Sequence, residues 1–453
     1  MLVKDLKFYK TLLLLAVPMA LQNMLSMGVG LTDNLMVGQI GDTAVAGVLA
    51  ANQVQNILNM FVFGISATLV LIAAQYWGKK DVDSVKAIAT IAIKVAAGMG
   101  LLLSAIVLTF PWHVLRIFTN DPYVLAEGVR YIRIIAISYV FFCISQALMG
   151  AMRCVEVVRI GVVVSMSTLA ISVLGNYLLI FGNWGFPALG IQGAAITSVT
   201  ARVVEMAIMV VYVRFIDSRL KLRFRELLRT HSALLRDFLR HGAPVIGGDL
   251  SWGVIGALKV AIIGRMGVHA MAANSAAAML FAIITVFVWS MSGASGVIIG
   301  KTVGSGDYQK VRAYAKTIQL IFITLGILAG ISLFSLRDVF IGLYNFTEET
   351  QIIARQFMTI LSVSVVFTAY HAPCFVGIIR AGGDTKFVFI VDAICSWCLV
   401  LPMAFLAAFV FNAPPWVVFL CIFSDQFYKW VLAAIKTNRF TWIQNLTRDG
   451  DFS

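Results

Sequence analysis

Long apolar stretches recur along the whole chain and constrain its fold more than any other feature. Each is about 18 or more residues long, which is the length that an α-helix needs to cross the hydrocarbon core of a bilayer. Of the 453 residues, 60% are hydrophobic and 13% are charged, whereas soluble domains carry about 25% charged residues. We therefore predict an all-α membrane protein that crosses the bilayer many times.

Twelve stretches are predicted to be transmembrane helices. Their approximate bounds are 11–36, 51–76, 88–110, 131–152, 160–182, 190–213, 242–264, 277–300, 317–336, 356–379, 387–411 and 415–435. The connections are mostly short, except for the polar and strongly basic segment 214–241, which is typical of an amphipathic linker at the membrane surface. We predict an N-terminal six-helix bundle over 1–213, a cytoplasmic linker over 214–241, and a C-terminal six-helix bundle with a short cytoplasmic tail over 242–453.

The distribution of Lys and Arg predicts the orientation. The termini, the linker and the even-numbered loops hold 25 of the 35 basic residues, whereas the odd-numbered loops hold 5. Basic residues concentrate on the cytoplasmic side, so we predict a multi-pass protein of the cell membrane with both termini in the cytoplasm. Because these residues lie in short loops instead of clustering on a soluble surface, we predict no nucleic-acid partner.

The two halves of the chain carry an internal repeat at an offset of 226 residues. The aligned pairs include Pro18 with Pro244, Gly30 with Gly256, Gly38 with Gly264, Gly41 with Gly267, Gly78 with Gly304, and Asp81 with Asp307. Six spans per repeat is an even number, so both halves have the same orientation. This predicts a pseudo-twofold axis along the membrane normal and, for a transporter, a substrate site near the midplane between the halves.

Enzymatic and metal chemistry find little support in the sequence. Cys395 and Cys398 have the spacing of a metal or redox pair, but they lie within an apolar span and no second Cys/His pair completes a site. No HExxH, GxSxG or paired intramembrane aspartate motif is present. We predict a protein that is not an enzyme and that binds neither a metal nor a cofactor.

Several stretches resemble the multidrug and toxic compound extrusion (MATE) transporters. They are VPMALQNML, LTDNLMVGQIGDTAVAG, FGISATLVLIAAQYWGKKD, LGNYLLIFG, GFPALGIQGAAITS, GAPVIGGDLSWGVIG, IIGRMGVHAMAANS and GIIRAGGDTK, which cover nearly the whole chain. The resemblance implies two six-helix bundles arranged in a V around a central cavity. It also implies ion-driven export of organic, often cationic, compounds.

Asp33 is the strongest candidate for a coupling residue. It lies within the first apolar stretch, where a charge costs roughly 3 kcal/mol on insertion scales and normally faces a polar cavity. It matches the family aspartate that precedes the M-V-G turn, for which the resemblance implies a part in cation coupling. Such a carboxylate can bind and release a proton, or bind sodium together with neutral oxygen ligands. The alternative is an acid near the outer end of its span that reaches water.

Small polar residues of spans 5 and 6 are candidates to complete an oxygen shell around Asp33. Related sequences can carry an aspartate where this chain has Asn176, and Ser172 lies one turn earlier on the same helix face. In span 6, Thr197 and Ser198 offer hydroxyl groups. The alternative is ordinary helix–helix hydrogen bonding by small polar residues.

In the second half, Asp249 is the candidate to hold a cationic substrate. It aligns with Asn23 in the repeat, while Lys259 aligns with Asp33, so the two halves have diverged in charge. Some family branches place acids where this chain has Trp252 and has only His371 to offer. These two residues join Asp249 as substrate-binding candidates, and their identity argues against a second cation site.

Together these features predict a secondary active exporter that moves small organic, cationic compounds against H⁺ or Na⁺. We expect a monomer whose partners are its substrates and the lipid bilayer. The alternative is a flippase of lipids or lipid-linked sugars with a related fold, which is expected to carry a row of cationic residues for phosphate groups.

Overall fold

The computed structural model describes residues 3–222, 226 and 231–448. Helices account for most of these residues. They are α1 (Leu6–Gly38), α2 (Asp42–Gly78), α3 (Val82–Thr109), α4 (Pro111–Arg116), α5 (Pro122–Ile135), α6 (Ser138–Cys154), α7 (Arg159–Leu179), α8 (Ile191–Val211), α9 (Ser232–Gly264), α10 (Val268–Gly304), α11 (Tyr308–Ile341), α12 (Glu348–Pro373), α13 (Thr385–Ala393), α14 (Leu401–Phe405), α15 (Pro415–Ile422) and α16 (Asp425–Arg439). Four π-helical turns continue α8, α12, α13 and α14, namely Tyr212–Ile216, Cys374–Arg380, Ile394–Val400 and Leu406–Val410.

Among the described residues, eleven helical segments are long and apolar enough to cross a membrane, and the bent pair α5 and α6 raises the number to twelve. Each corresponds to one of the predicted spans. The prediction of an all-α membrane protein with twelve spans is therefore confirmed.

Several helices extend well beyond the predicted spans. The helix α2 begins at Asp42, and α9 begins at Ser232, inside the predicted linker. Hydropathy detects only the part of a helix that matches the hydrocarbon thickness, and polar turns continue the helix into the interface. Residues 223–225 and 227–230 of the predicted linker lie outside the described residues.

The fourth span is broken, which the sequence did not indicate. The axes of α5 and α6 meet at 51°, although neither Pro nor Gly lies at the junction. The Ser104 hydroxyl of α3 donates to the Ala136 carbonyl at 2.9 Å, and the Ser138 hydroxyl donates to the Ile135 carbonyl at 2.6 Å. Side chains that satisfy released carbonyls allow such a bend.

The internal repeat is visible helix by helix. Both α1 and α9 have 33 residues and contain an internal proline, Pro18 or Pro244, and both α2 and α10 have 37 residues. After each of the second pair, an aspartate caps the next helix: Asp81 accepts from the Ser84 N–H, and Asp307 from the Lys310 N–H. The repeated glycines and aspartates therefore belong to the shared scaffold.

The chain divides into two compact units. One contains the residues up to Ala20, Gly78–Lys80 and the chain from Ala243 onward, and the other contains Leu21–Trp77 and Asp81–Gly242. The domain boundaries predicted at residues 213 and 242 stay a prediction.

Close helix packing in the unit that begins at Ala243 depends on glycines. A Cβ at Gly326 of α11 would lie 2.8 Å from the Val366 carbonyl oxygen of α12, and one at Gly330 would lie 2.7 Å from that of Ser362. Small residues allow membrane helices to approach this closely. The buried aromatic rings of Phe357 and Phe419 stack with centroids 3.9 Å apart in the same core.

Replacing Gly326 with Val is expected to destabilise the protein by about 1–3 kcal/mol, because overpacking forces α11 away from α12. Thermal unfolding of the purified protein in detergent measures this change. Gly98→Val is the matched control, since a Cβ at Gly98 of α3 meets nothing within 4 Å. Equal loss in the two variants would show that helix propensity, not contact with α12, is responsible.

Candidate cation and substrate sites

Asp33 lies near the end of α1 and is bound directly by one of its predicted partners. The Asn176 Nδ2 atom of α7 donates to Asp33 Oδ1 at 2.7 Å. Asn176 is fully buried, whereas Asp33 is partly exposed. The carboxylate is therefore fixed by a neutral donor and keeps access to solvent on one side.

Two buried oxygen atoms around this pair have no hydrogen-bond partner among the described residues: Asn176 Oδ1 and Thr197 Oγ1. Buried polar atoms are normally satisfied, so an unsatisfied pair beside a carboxylate calls for an explanation such as an ion or water. The predicted Ser172 is also buried, and Ser198 is partly exposed. The structure thus places the five predicted coupling residues on α1, α7 and α8 of one unit.

Glycines bring α7 and α8 close enough to build this site. A Cβ at Gly175 would lie 2.6 Å from Cγ2 and 2.9 Å from Oγ1 of Thr197. Likewise, a Cβ at Gly193 would lie 2.3 Å from the Leu179 carbonyl oxygen. The backbone approach at these glycines explains why the Thr197 hydroxyl lies next to the residue that bonds Asp33.

Tyr131 of α5 is a further member of the site that the sequence reasoning missed. Its hydroxyl is hydrogen-bonded to Ser198, and the side chain lies close enough to Asp33 for an electrostatic interaction. Tyr131 is the first residue of the predicted fourth span, at the same predicted outer level as Asp33. That shared depth was the one signal available in the sequence.

The nearby ion pair of α8 agrees with its spacing in the sequence. Arg202 Nη1 lies 2.7 Å from Glu205 Oε2. The other oxygen of Glu205 accepts from Ser145 at 2.8 Å and from Gln146 at 3.1 Å. Arg202 is thereby neutralised locally, which leaves Asp33 without a bonded cationic partner among the described residues.

Asp249, the substrate-binding candidate, is paired with an arginine. The two Nη atoms of Arg380 lie 3.1 and 3.2 Å from the two carboxylate oxygens of Asp249. The Arg380 side chain is 9% exposed and that of Asp249 is 26% exposed. In the other unit, the equivalent arginine, Arg153, donates to the neutral Gln22 Oε1 at 3.2 Å. The arginine is common to both halves, and the carboxylate belongs to one.

The other two substrate-binding candidates lie in different surroundings. The exposed indole of Trp252 lines a small cavity with Phe389, Asp392 and Lys429. His371 is buried, its Nδ1 lies 3.0 Å from the Phe367 carbonyl, and its charged neighbours are Lys429, Asp425 and Asp392. Of the three candidates, only Trp252 lines this cavity.

The fold and these intramembrane polar sites define a multi-pass membrane transporter, and comparison with known proteins names its family. The MatE family model matches residues 18–178 and 244–406, one match in each repeat. The chain therefore belongs to the MatE family. Its members are transporters and not enzymes, in agreement with the prediction.

Relatives of established name cover nearly the whole chain. The uncharacterized transporter YisQ of Bacillus subtilis is 25% identical over 94% of this chain and 93% of its own length. The probable multidrug resistance protein NorM of Agrobacterium fabrum is 25% identical over 88% of this chain and 87% of its own. A crystal structure of a variant of the Vibrio cholerae MATE transporter VcmN superposes with a TM-score of 0.87 at 16% identity, covering 96% of this chain and 98% of that one.

Proposed function

We propose that this protein is a cation-coupled exporter of small organic compounds and that Asp33, Asn176, Ser172, Thr197 and Ser198 bind the coupling ion. The observation that carries the proposal is the pair of unsatisfied buried oxygens, Asn176 Oδ1 and Thr197 Oγ1, beside the Asp33 carboxylate. The multidrug resistance proteins among the relatives support organic cargo.

The site suits either a proton or a sodium ion. Ionised Asp33 accepts a hydrogen bond from the Asn176 amide, and protonated Asp33 can donate to the same amide after it turns by 180°. Sodium can instead be bound by the carboxylate with the unsatisfied oxygens of Asn176 and Thr197. In both cases the bound cation neutralises Asp33, so the states with empty and occupied sites differ in the charge exposed to lipid and cavity.

The proposal includes the predicted placement and partners. Both termini lie in the cytoplasm of a cell-membrane protein, because the basic loops favour that side. The protein acts as a monomer within the bilayer. A flippase for phosphate-bearing lipids is less well supported, since the intramembrane cations Lys259, Lys429 and Arg380 each lie beside a carboxylate.

Transport into proteoliposomes tests the proposal. An organic cation is supplied as substrate, and proton and sodium gradients are imposed separately. We expect one of the two gradients to drive accumulation against the substrate's own gradient. Equal substrate flux with and without either gradient would contradict cation coupling.

Asp249 is proposed to bind cationic substrates by exchanging its Arg380 partner for the cargo. Asp249→Asn is expected to weaken binding of organic cations by about tenfold or more, as expected for loss of a charge-assisted contact, while neutral substrates keep their affinity. Competition binding with matched cationic and neutral compounds measures the difference. A uniform loss for both classes would assign Asp249 to structure alone.

A further inference from the structure

A second cluster of charged side chains lies in the C-terminal half, on α9, α13 and α16. Asp425 and Lys429 are 3% and 5% exposed, and Asp392 is partly exposed. Lys259 lies at the edge of the cluster, with its Nζ atom 3.9 Å from Asp425 Oδ1. Ionisable residues within membrane spans are rare and usually functional.

The ammonium group of Lys429 lies at the centre of three oxygen ligands. Its Nζ atom is 2.8 Å from Asp392 Oδ1, 2.9 Å from Asp425 Oδ2 and 3.4 Å from Ser396 Oγ. Ser396 lies in the π-helical turn Ile394–Val400, and such turns occur frequently at functional sites. Carboxylate and hydroxyl oxygens are the ligands that hard cations prefer.

The oxygen ligands are held in place from behind. The Gln426 amide donates to Asp425 Oδ1 at 2.9 Å, and its carbonyl accepts from Thr368 at 2.8 Å. The carboxylate of Asp425 is therefore fixed without help from Lys429. Two lysines face two aspartates in this cluster, so its charges balance when His371 is neutral.

The repeat relates this cluster to the Asp33 site. The offset that pairs Arg153 with Arg380 also pairs Ser198 with Asp425 and Arg202 with Lys429. The position of Asp33 is taken by Lys259, so the acid absent from α9 is supplied by α16. In the first half Arg202 is bound by Glu205 of its own helix, whereas Lys429 is directed to carboxylates of α13 and α16.

We propose that Asp392, Asp425 and Ser396 form a second cation site that the Lys429 ammonium occupies permanently. A free monovalent cation then binds in the C-terminal half only when this ammonium is removed. In the exporter, and here the inference rests on the proposed function, coupling takes place through the Asp33 site alone.

The test measures sodium binding to the full-length protein in detergent, by calorimetry and by the thermal unfolding midpoint in sodium chloride against choline chloride. All variants carry Asp33→Asn, which removes the first site. We expect no saturable sodium binding by Asp33→Asn alone. Adding Lys429→Met is expected to create one site per protein and a midpoint several degrees higher in sodium than in choline.

Two further variants separate a cation site from general destabilisation. Adding Asp425→Asn to the Lys429→Met protein is expected to abolish the new sodium binding, and Lys429→Arg is expected to bind none because the guanidinium refills the site. A folded Lys429→Met variant whose stability is the same in sodium and choline, with no saturable binding, would overturn the proposal. Should Lys429→Met not yield folded protein, Lys429→Gln takes its place with the same two outcomes.

This experiment involves no transport, so its result is independent of the proposed export function. Loss of flux in Asp33→Asn bears on that function, whereas sodium binding by the Lys429 variants bears only on the second site.

Discussion

Asp33→Asn is expected to reduce gradient-driven export to the level of protein-free liposomes. The amide cannot bind a proton or offer a full negative charge to sodium, so the site no longer changes charge during the cycle. The substitution keeps the size of the side chain and a hydrogen-bonding group for Asn176, which bonds the carboxylate at 2.7 Å. The protein is therefore expected to fold and insert normally. Substrate flux in proteoliposomes, normalised to inserted protein, measures the effect.

Asp83→Asn provides the control for this variant. Its side chain is 97% exposed in the first turn of α3, so the same chemical change there is expected to leave flux unchanged. Size-exclusion chromatography and circular dichroism verify the fold of both proteins. Export by Asp33→Asn at the unsubstituted rate would remove this carboxylate from the mechanism.

The second large effect is expected at the Arg380–Asp249 pair. Arg380→Met removes the bidentate partner at 3.1 and 3.2 Å and leaves the Asp249 carboxylate, 26% exposed, without its cation. Breaking one side of a buried ion pair costs about 3–5 kcal/mol. We expect a loss of this size in the free energy of unfolding, measured by titration with sodium dodecyl sulfate and tryptophan fluorescence.

The other half of the repeat provides a matched control. Arg153→Met removes an arginine whose partner, Gln22, is neutral, so no unpaired charge is left behind and a smaller loss is expected. Combining Arg380→Met with Asp249→Asn is expected to recover part of the stability, because the unpaired carboxylate is then absent. Equal losses in Arg153→Met and Arg380→Met would show that packing of the arginine stem, and not its charge pair, is responsible.

The candidate site was only partly accessible to sequence reasoning. Asp33 stood out because an isolated acid in an apolar stretch is energetically unusual, and Asn176 and Thr197 followed from small polar residues in neighbouring spans. Tyr131 gave no such signal, since tyrosine is common near the ends of membrane spans. Its contact with Ser198 depends on the bend between α5 and α6, which is stabilised by the Ser104 hydroxyl of another helix.

Charge pairing shows the same division. The Arg202–Glu205 and Asp425–Lys429 pairs were predictable because residues three or four positions apart share a helix face, and both are present. The pairing of Asp249 with Arg380 joins residues 131 positions apart, and the contact of Lys429 with Asp392 joins α16 to α13. Such pairs depend on how separate helices pack, about which a one-dimensional pattern carries little information.

The sequence by itself determined the class of protein, the number of spans and the repeat. Hydrophobic length, glycine and proline spacing and loop aspartates are local properties, and each acts on the backbone within a few residues. Only the tertiary structure decided which polar groups are satisfied. It left Asn176 Oδ1 and Thr197 Oγ1 without partners beside Asp33, gave Asp249 an arginine and placed an ammonium between Asp392 and Asp425. The physical reason is that hydrogen bonds and ion pairs require approach within about 3 Å, which in this chain is set by the packing of distant helices.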